Sequence, residues 1–270
     1  MRSISEMTKS EAKRVRFVLT DIDDTLTKKG KLTAAAYSAL WELREAGLAV
    51  VPVTGRPAGW CDCIVREWPV DGVIGENGAL AFWEEPADTA APEPDRLPIL
   101  KTEYHPSAIR NDHPLLARIR EKALSEVPGL RVAKDQFARL FDIALDFAEE
   151  EPALPLEAAE RARAIAAEAG AMAKISSIHV NIWLGNYDKL SMAYYFLHHR
   201  FGEFDKREVV FVGDSPNDAP MFTHFPLACA VANIHRYQGM IKPMPAFVAS
   251  RECGEGFAEI VETILGKRKG

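Results

Sequence analysis

The stretch VRFVLTDIDDTLT, residues 15–27, places three aspartates directly after a run of apolar residues. The run at 15–20 is rich in β-branched and aromatic side chains, a composition that favours a buried strand. Asp21, Asp23 and Asp24 then bring three like charges within four positions. Two interpretations are open at this point, a solvated turn or a group of carboxylates that binds something positive.

Composition excludes several classes of protein. The chain has 270 residues with 47% hydrophobic and 27% charged side chains, which is typical of a globular protein. The net charge is −6, and lysine and arginine are spread along the chain, so we predict no nucleic-acid binding. No apolar run approaches the roughly 20 residues of a membrane span. Four cysteines do not make a disulfide framework in a chain of this length, and we predict a cytoplasmic protein.

Apolar strand-like runs alternate with helical patterns over residues 15–83 and again over 188–270. This alternation predicts an α/β fold, a doubly wound Rossmann-like parallel sheet covered by helices on both faces. Residues 1–14 are polar, and we predict a flexible N-terminal tail for them.

The middle of the chain, residues 84–187, has a different pattern. It opens at 84–98 with four prolines and little apolar content, which predicts a linker or exposed loop. Helical periodicity and period-two alternation follow, and the alternation predicts one-sided antiparallel strands packed on helices. We therefore predict an inserted α+β cap domain over residues 84–187, with residues 15–83 and 188–270 forming the core.

Three of the predicted core strands end in polar groups. These groups are DIDDT at 21–25, TGR at 54–56 and DSPND at 214–218. In an open α/β sheet, ligands bind outside the carboxyl ends of the strands. We therefore expect the three groups to lie along one edge of the sheet.

These segments resemble the four motifs of the haloacid dehalogenase superfamily of phosphohydrolases. DIDDT is similar to the first motif, D-x-D-x-T, and GDSPND to the fourth, G-D-x-x-N-D. Thr54 in VPVTGR corresponds to the second motif, and Lys189 in YDKLSMAYYFL to the third. The insert between the second and third motifs resembles a type IIB cap. Proteins with this layout include Cof-like sugar phosphatases, sucrose-phosphate, trehalose-phosphate and mannosyl-phosphoglycerate phosphatases, and phosphomannomutase.

The resemblance implies a phosphatase that forms an aspartyl-phosphate, a solution open to a carboxylate nucleophile. Asp21 is the predicted nucleophile. A hard divalent cation with oxygen ligands, Mg²⁺, would bring two anions together. Asp21 and Asp214 are the predicted metal ligands, and the resemblance adds the main-chain carbonyl of Asp23. Asp23 is also the predicted general acid and base.

The remaining predicted site residues position groups or bind substrate. Lys189 and the Thr54 hydroxyl are expected to hold the transferring phosphoryl group. Asn217 and Asp218 are expected to orient the ligands and Lys189. The predicted substrate-binding residues are Gly55, Arg56, Asn77, His179 and Asn181.

The substrate is expected to be a small phosphorylated metabolite, a sugar phosphate by resemblance, and the chain a monomer or homodimer. His179 and Asn181 lie on the polar face of a predicted cap strand, and an alternative is that this face simply meets solvent. Two residues depart from the family pattern, because Asp24 and Ser215 stand where glycine is frequent. We expect Asp24 to point to solvent and Thr25 to cap the turn.

Three other functions share some of these features. A phosphomannomutase-like mutase has the same motifs, but its cap needs a basic site for a second phosphate. The cationic cap residues form no concentrated pattern, and they are Arg131, Lys134, Arg139 and Lys174. A receiver-type signalling module would end its third strand in aspartate, whereas this chain has Glu-Asn-Gly at 76–78. Retention of the acidic and lysine motif residues argues against an inactive scaffold.

Overall fold

The computed structural model describes residues 1–86, 97–176 and 178–269. The helices are α1 Lys9–Arg14, α2 Ala34–Glu45, α3 Ala58–Glu67, α4 Pro114–Glu126, α5 Leu156–Glu168, α6 Lys189–Phe201, α7 Ala219–His224 and α8 Cys253–Lys269. The strands are β1 Arg2–Ser3, β2 Phe17–Thr20, β3 Thr27–Lys28, β4 Lys31–Leu32, β5 Ala49–Pro52, β6 Val73–Gly75, β7 Leu80–Glu85, β8 Ile99–Tyr104, β9 Arg131–Val132, β10 Asp142–Asp146, β11 Met172–Ile175, β12 His179–Trp183, β13 Val209–Gly213, β14 Cys229–Ala230 and β15 Phe247–Val248.

The central sheet has six parallel strands in the order β1-β15-β14-β13-β2-β5. Every residue of β2 and β13 is buried, as expected for strands covered on both faces. Val18 and Val210 pack in the cluster that holds α2 and α8, whereas Leu19 and Phe211 pack in the cluster that holds α6 and α7. The predicted α/β class is confirmed. Since β2 lies between β13 and β5, the polar groups that follow these strands meet at one edge.

The cap contains a second sheet, antiparallel and four-stranded, in the order β11-β12-β10-β9. One face packs on α4 and α5, and Ile143, Leu145, Val180 and Ile182 belong to that apolar cluster. The alternation in the sequence therefore predicted the correct face of both central cap strands.

The boundary between core and cap stays a prediction. Strand β8 pairs with β7 in a three-stranded sheet with β6, so residues 99–104 do not join the cap sheet. Most of the predicted linker, residues 87–96, lies outside the described residues.

The prediction of a flexible tail over residues 1–14 is wrong. Strand β1 pairs with β15, and Ile4, Met7 and Ala12 are buried in the main core cluster. Thr8 and Glu11 form a reciprocal capping pair at the start of α1. Sequence periodicity missed this segment because its few apolar residues are separated by polar ones.

Among the helices of the described ranges, none is both long and apolar enough to cross a membrane.

Candidate active site

Backbone hydrogen bonds between neighbouring strands fix the edge at which the motifs meet. The Asp21 N–H donates to Val212 O at 2.8 Å, and the Val53 N–H donates to Thr20 O at 2.8 Å. Asp21 follows β2, Asp214 follows β13 and Thr54 follows β5 across one residue. The parallel ladder thus places the three predicted groups side by side, because each begins where a strand ends.

Lys189 brings the third motif to this edge. It is the first residue of α6, whose N-cap Asp188 accepts a hydrogen bond from the Ser191 N–H. The Lys189 Nζ donates to Asp21 Oδ1 at 2.6 Å and to Asp218 Oδ1 at 2.9 Å. Burial opposes the charge of Lys189, but these two carboxylates raise its pKa above the usual value. The lysine therefore stays cationic next to Asp21.

Three buried carboxylates surround this lysine. Oxygen atoms of Asp21, Asp214 and Asp218 lie within 4.8 Å of one another. Burial raises the pKa of Asp21 to about 7, Lys189 opposes the increase, and Asp218 and Asp23 add to it. Burial and the Asp21 carboxylate likewise raise the pKa of Asp214. One cation does not balance three carboxylates, so this oxygen-rich group fits a hard divalent cation.

Asp218 is buried and holds both Lys189 and the backbone of Asp214. Its Oδ2 accepts from the Asp214 N–H at 3.2 Å while its Oδ1 binds Lys189. A Cβ atom at Gly213 would lie 2.4 Å from Asp218 Oδ2, so only glycine permits this approach. Ser215 stands where the family often has glycine, and its Oγ donates to Asn217 Oδ1 at 2.8 Å.

Asp23 points to a different partner from Asp21. The Arg56 guanidinium donates to both Asp23 oxygens, with Nη2 at 2.6 Å from Oδ1 and Nε at 3.1 Å from Oδ2. The Arg56 Cζ also lies 4.6 Å from the centre of the Trp60 ring. The second motif therefore positions the side chain that was predicted to be the acid and base.

Asp24 and Thr25 do not behave as expected. Asp24 is half-buried rather than solvated and has a φ of 56°. Its N–H donates to Thr27 Oγ1 at 3.2 Å, and Thr27 Oγ1 in turn donates to Ile22 O. The Thr25 hydroxyl is buried with no hydrogen-bond partner among the described residues. Thr27 therefore orders the turn, which was the role predicted for Thr25.

Asn233 is a site residue that sequence reasoning missed. Its Nδ2 donates to Asp24 O at 2.8 Å and to Asp214 Oδ2 at 3.1 Å, and its Oδ1 accepts from the Cys253 N–H. A buried asparagine thus ties the first motif to the fourth. It lies outside both motifs, and no spacing in the sequence signals it.

The second motif and the turn at 76–78 lie together at another side of the candidate site. The Thr54 hydroxyl accepts from the Arg56 N–H at 3.1 Å, and Thr54 O accepts from the Asn77 N–H at 3.0 Å. Asn77 has a left-handed φ of 58° and is buried. Its Nδ2 has no partner within the described ranges, which leaves a donor free beside Gly55.

These groups line a cavity of about 180 Å³ between core and cap. The core contributes Asp21, Asp23, Gly30, Gly55, Arg56, Trp60, Asn77, Asp214, Ser215 and Asn217, and the cap contributes Asp135, Arg139, Glu149, Ser176, Ile178, His179 and Asn181. His179 Nε2 lies 2.8 Å from Glu149 Oε2, and the Asn181 Nδ2 donates to Asp142 Oδ2 at 2.9 Å. The polar face of β12 therefore faces the cavity, not solvent. Of the predicted residues, Thr54, Lys189 and Asp218 are buried without lining it.

Two buried side chains join the cap to the core. The Glu76 carboxylate accepts from the N–H groups of Ala58, Leu140, Phe141 and Asp142 at 2.6–3.1 Å. Burial and the Asp142 carboxylate raise the pKa of Glu76 to about 7, and the backbone donors oppose that increase.

Arg139 makes the second junction. Its Nη1 donates to Gly55 O at 3.1 Å and to Asp142, while Nε and Nη2 donate to Asp135. The guanidinium is hydrogen-bonded to both carboxylates, so Arg139 holds the cap against the core. Sequence reasoning noted Arg139 only as a cap cation, because its partners come together through the fold.

The comparisons agree with this geometry. The sequence profile of the haloacid dehalogenase-like hydrolase family matches residues 18–91 and 139–240. Comparison with curated protein sequences gave no match.

Three solved structures share the fold. A Thermoplasma acidophilum protein is 20% identical, with a TM-score of 0.70 over 93% of this chain and 98% of its own. The sucrose-phosphatase of Synechocystis, solved with sucrose and phosphate, is 14% identical, with a TM-score of 0.61 over 93% and 98%. A subclass IIB sugar phosphatase is 16% identical, with a TM-score of 0.61 over 93% and 98%.

The family profile covers more than half of the chain and includes the segments that carry Asp21, Thr54, Lys189 and Asp214. The carboxyl ends of the strands and the start of α6 bring these four residues to one edge of the central sheet. The chain is a member of the haloacid dehalogenase-like hydrolase family.

Proposed function

We propose that this protein is a Mg²⁺-dependent phosphatase that hydrolyses a small phosphomonoester, a sugar phosphate, through an aspartyl-phosphate on Asp21. The observation that carries the proposal is the pairing of Asp21 with Lys189 at 2.6 Å beside the buried Asp214. The Asp21 carboxylate is held in a fixed position and faces a cavity, and a nucleophile requires both.

Asp21, Asp214 and the main-chain carbonyl of Asp23 would hold the metal. When bound, Mg²⁺ supplies positive charge to the phosphate oxygens and to the attacking carboxylate. Asp218 is a less suitable ligand, because its two oxygens already bind Lys189 and the Asp214 N–H. Its contacts with Lys189 and the Asp214 N–H support the positioning role that we propose for it.

The chain's own residues can carry both chemical steps. The Asp21 carboxylate attacks phosphorus, and the bond from phosphorus to the leaving oxygen breaks. Asp23, once it is protonated and one of its oxygens has left Arg56, gives its proton to that leaving oxygen. Asp23 then removes a proton from water, which attacks the aspartyl-phosphate and releases inorganic phosphate and free Asp21. Lys189 balances negative charge throughout, because its ammonium group is fixed between Asp21 and Asp218.

The cap side of the cavity supports a neutral, hydroxyl-rich leaving group. Arg139 is the one arginine or lysine of the described cap residues that lines the cavity, and Asp135 and Asp142 neutralise it. Glu149, Asn181 and Ser176 offer acceptors and donors suited to hydroxyl groups. A mutase would need free cations here for its second phosphate, so this lining favours the phosphatase.

Two further predictions accompany this function. We propose a small phosphorylated metabolite as the partner. All four cysteines are free, which favours a reducing compartment and supports the predicted cytoplasmic location.

Phosphate release from a panel of sugar and polyol phosphates tests the proposal. We expect release that requires Mg²⁺ and that falls at least about 1,000-fold in Asp21→Asn. Asp62→Asn is a matched control, because Asp62 is partly exposed on α3, pairs with Arg66 and lines neither cavity.

Two results would contradict the proposal. Release that survives Asp21→Asn would exclude Asp21 as the nucleophile. Conversion of a hexose 1-phosphate to the 6-phosphate without phosphate release would instead identify a mutase.

A further inference from the structure

A second cavity, of about 480 Å³, opens next to the catalytic one. Its lining is mostly apolar and includes Leu32, Trp60, Cys63, Ile64, Trp68 and Phe137. We call it the aromatic groove. None of the mechanism described above uses its apolar side chains.

The aromatic groove is continuous with the catalytic cavity. Gly30, Arg56 and Trp60 line both. Arg56 binds Asp23 on one side and lies 4.6 Å from the Trp60 ring on the other. A connected row of side chains therefore leads from the acid and base into the groove.

Two aromatic rings at the groove are exposed. Phe137 of the cap is 90% exposed and Trp60 of the core is 47% exposed. Exposed apolar surface beside a catalytic site is characteristic of a ligand contact. The groove lies where cap and core touch, because a Cβ at Gly59 would be 3.1 Å from the Ala138 Cβ.

We propose that the aromatic groove binds the far end of the leaving group, and that the substrate carries a flat apolar or aromatic moiety there. This inference rests on the proposed phosphatase function. The leaving oxygen must lie within reach of Asp23 to receive its proton, and Asp23 contacts Arg56. A leaving group larger than one sugar unit then continues past Arg56 to Trp60 and Phe137.

Glucose 6-phosphate and phenyl β-glucoside 6-phosphate form a matched pair of substrates for the first test. In Phe137→Ala, the ratio of kcat/KM for the phenyl compound to that for glucose 6-phosphate falls about 3- to 10-fold, the size of one aromatic contact. Trp41→Ala is the control, because Trp41 is an exposed tryptophan that lines neither cavity. An unchanged ratio in Phe137→Ala overturns the inference. If the wild-type protein releases phosphate from neither these two compounds nor any member of the sugar and polyol phosphate panel, the proposed function fails instead.

Cys63 provides a binding test that does not depend on turnover. It lines the groove and is the exposed one of the four cysteines. In Asp21→Asn with Mg²⁺, phenyl β-glucoside 6-phosphate at ten times its Kd slows alkylation of Cys63 by N-ethylmaleimide about tenfold. Inorganic phosphate and glucose 6-phosphate leave the rate unchanged.

Two other causes of Cys63 protection give different results. If inorganic phosphate slows alkylation of Cys63 as much as the phenyl compound does, movement of the cap closes the groove. If protection without ligand rises with protein concentration, a second copy of the chain covers it. Either result overturns the inference.

Discussion

Asp24 has a left-handed φ of 56°, the backbone conformation in which glycine is favoured. Glycine, which the resemblance leads us to expect at this position, adopts the conformation without a Cβ penalty. Aspartate tolerates the conformation better than most residues. The Asn233 Nδ2 donates both to the Asp24 carbonyl and to Asp214, so the backbone shape of the turn affects the site. The charge of the Asp24 side chain has no assigned task.

Replacing Asp24 separates the backbone effect from the charge effect. Asp24→Gly and Asp24→Ala remove the same carboxylate, but only alanine places a Cβ in the left-handed region. We expect the glycine variant to be more stable than the alanine variant by about 1 kcal/mol in urea unfolding. Equal stabilities would show that the turn imposes no strain.

Asp21 makes stability depend on pH in the metal-free protein. Its pKa rises from 3.8 to about 7 on folding, because burial outweighs the charge of Lys189. Between these values the folded protein binds a proton that the unfolded chain has released, so stability is lost as pH rises through this window. We expect Asp21 alone to contribute a fall of about 2–3 kcal/mol in the free energy of unfolding between pH 5 and pH 7.

Chemical unfolding in EDTA at several pH values measures this dependence. Asp21→Asn should make the curve less steep without flattening it, because the pKa values of Glu76 and Asp214 are also raised, and Mg²⁺ at pH 8 should restore stability to the wild type. A wild-type curve no steeper than that of the variant would mean that Asp21 is ionised without metal.

At the scale of elements, the long and strongly patterned segments could be predicted from sequence. Helix α2 begins after its N-cap Thr33, as expected, and β10 and β12 bury the face that their alternation indicated. Two-residue strands such as β1, β9 and β15 could not be predicted, because their pairing partners are distant and no periodicity develops in two residues. The candidate site followed the same rule, since strand-end motifs were visible and the contacts of Asn233 and Glu76 were not.

Glu76 joins two elements, the start of α3 and the start of β10. Glutamine at this position keeps the shape but turns one acceptor oxygen into a donor that faces backbone N–H groups. We expect Glu76→Gln to lower the free energy of unfolding by about 2–3 kcal/mol. Glu203→Gln is the control, because the Glu203 side chain is 90% exposed. A loss no larger than that of the control would show that the contact does not hold the cap.

At the scale of the whole molecule, the first residues contribute to the stability of the core. Met7 is fully buried in the main core cluster, and the Lys267 Nζ of α8 donates to Ser5 O. We expect Met7→Ala to lower the free energy of unfolding by about 2–4 kcal/mol, with kcat of the remaining folded protein unchanged. Thermal unfolding measures this, with Met240→Ala as the exposed control. A Met7 variant as stable as the wild type would show that residues 1–14 do not contribute to the stability of the core.

Gly55 belongs to two hydrogen-bond systems. Its carbonyl accepts from Arg139 of the cap, and the residue that follows it, Arg56, holds Asp23. A single peptide unit therefore joins the cap residue Arg139 to the side chain that holds Asp23, the proposed acid and base. We expect a displacement of Arg139 to reach Asp23 through this amide plane, which would couple the position of the cap to the proposed proton transfer.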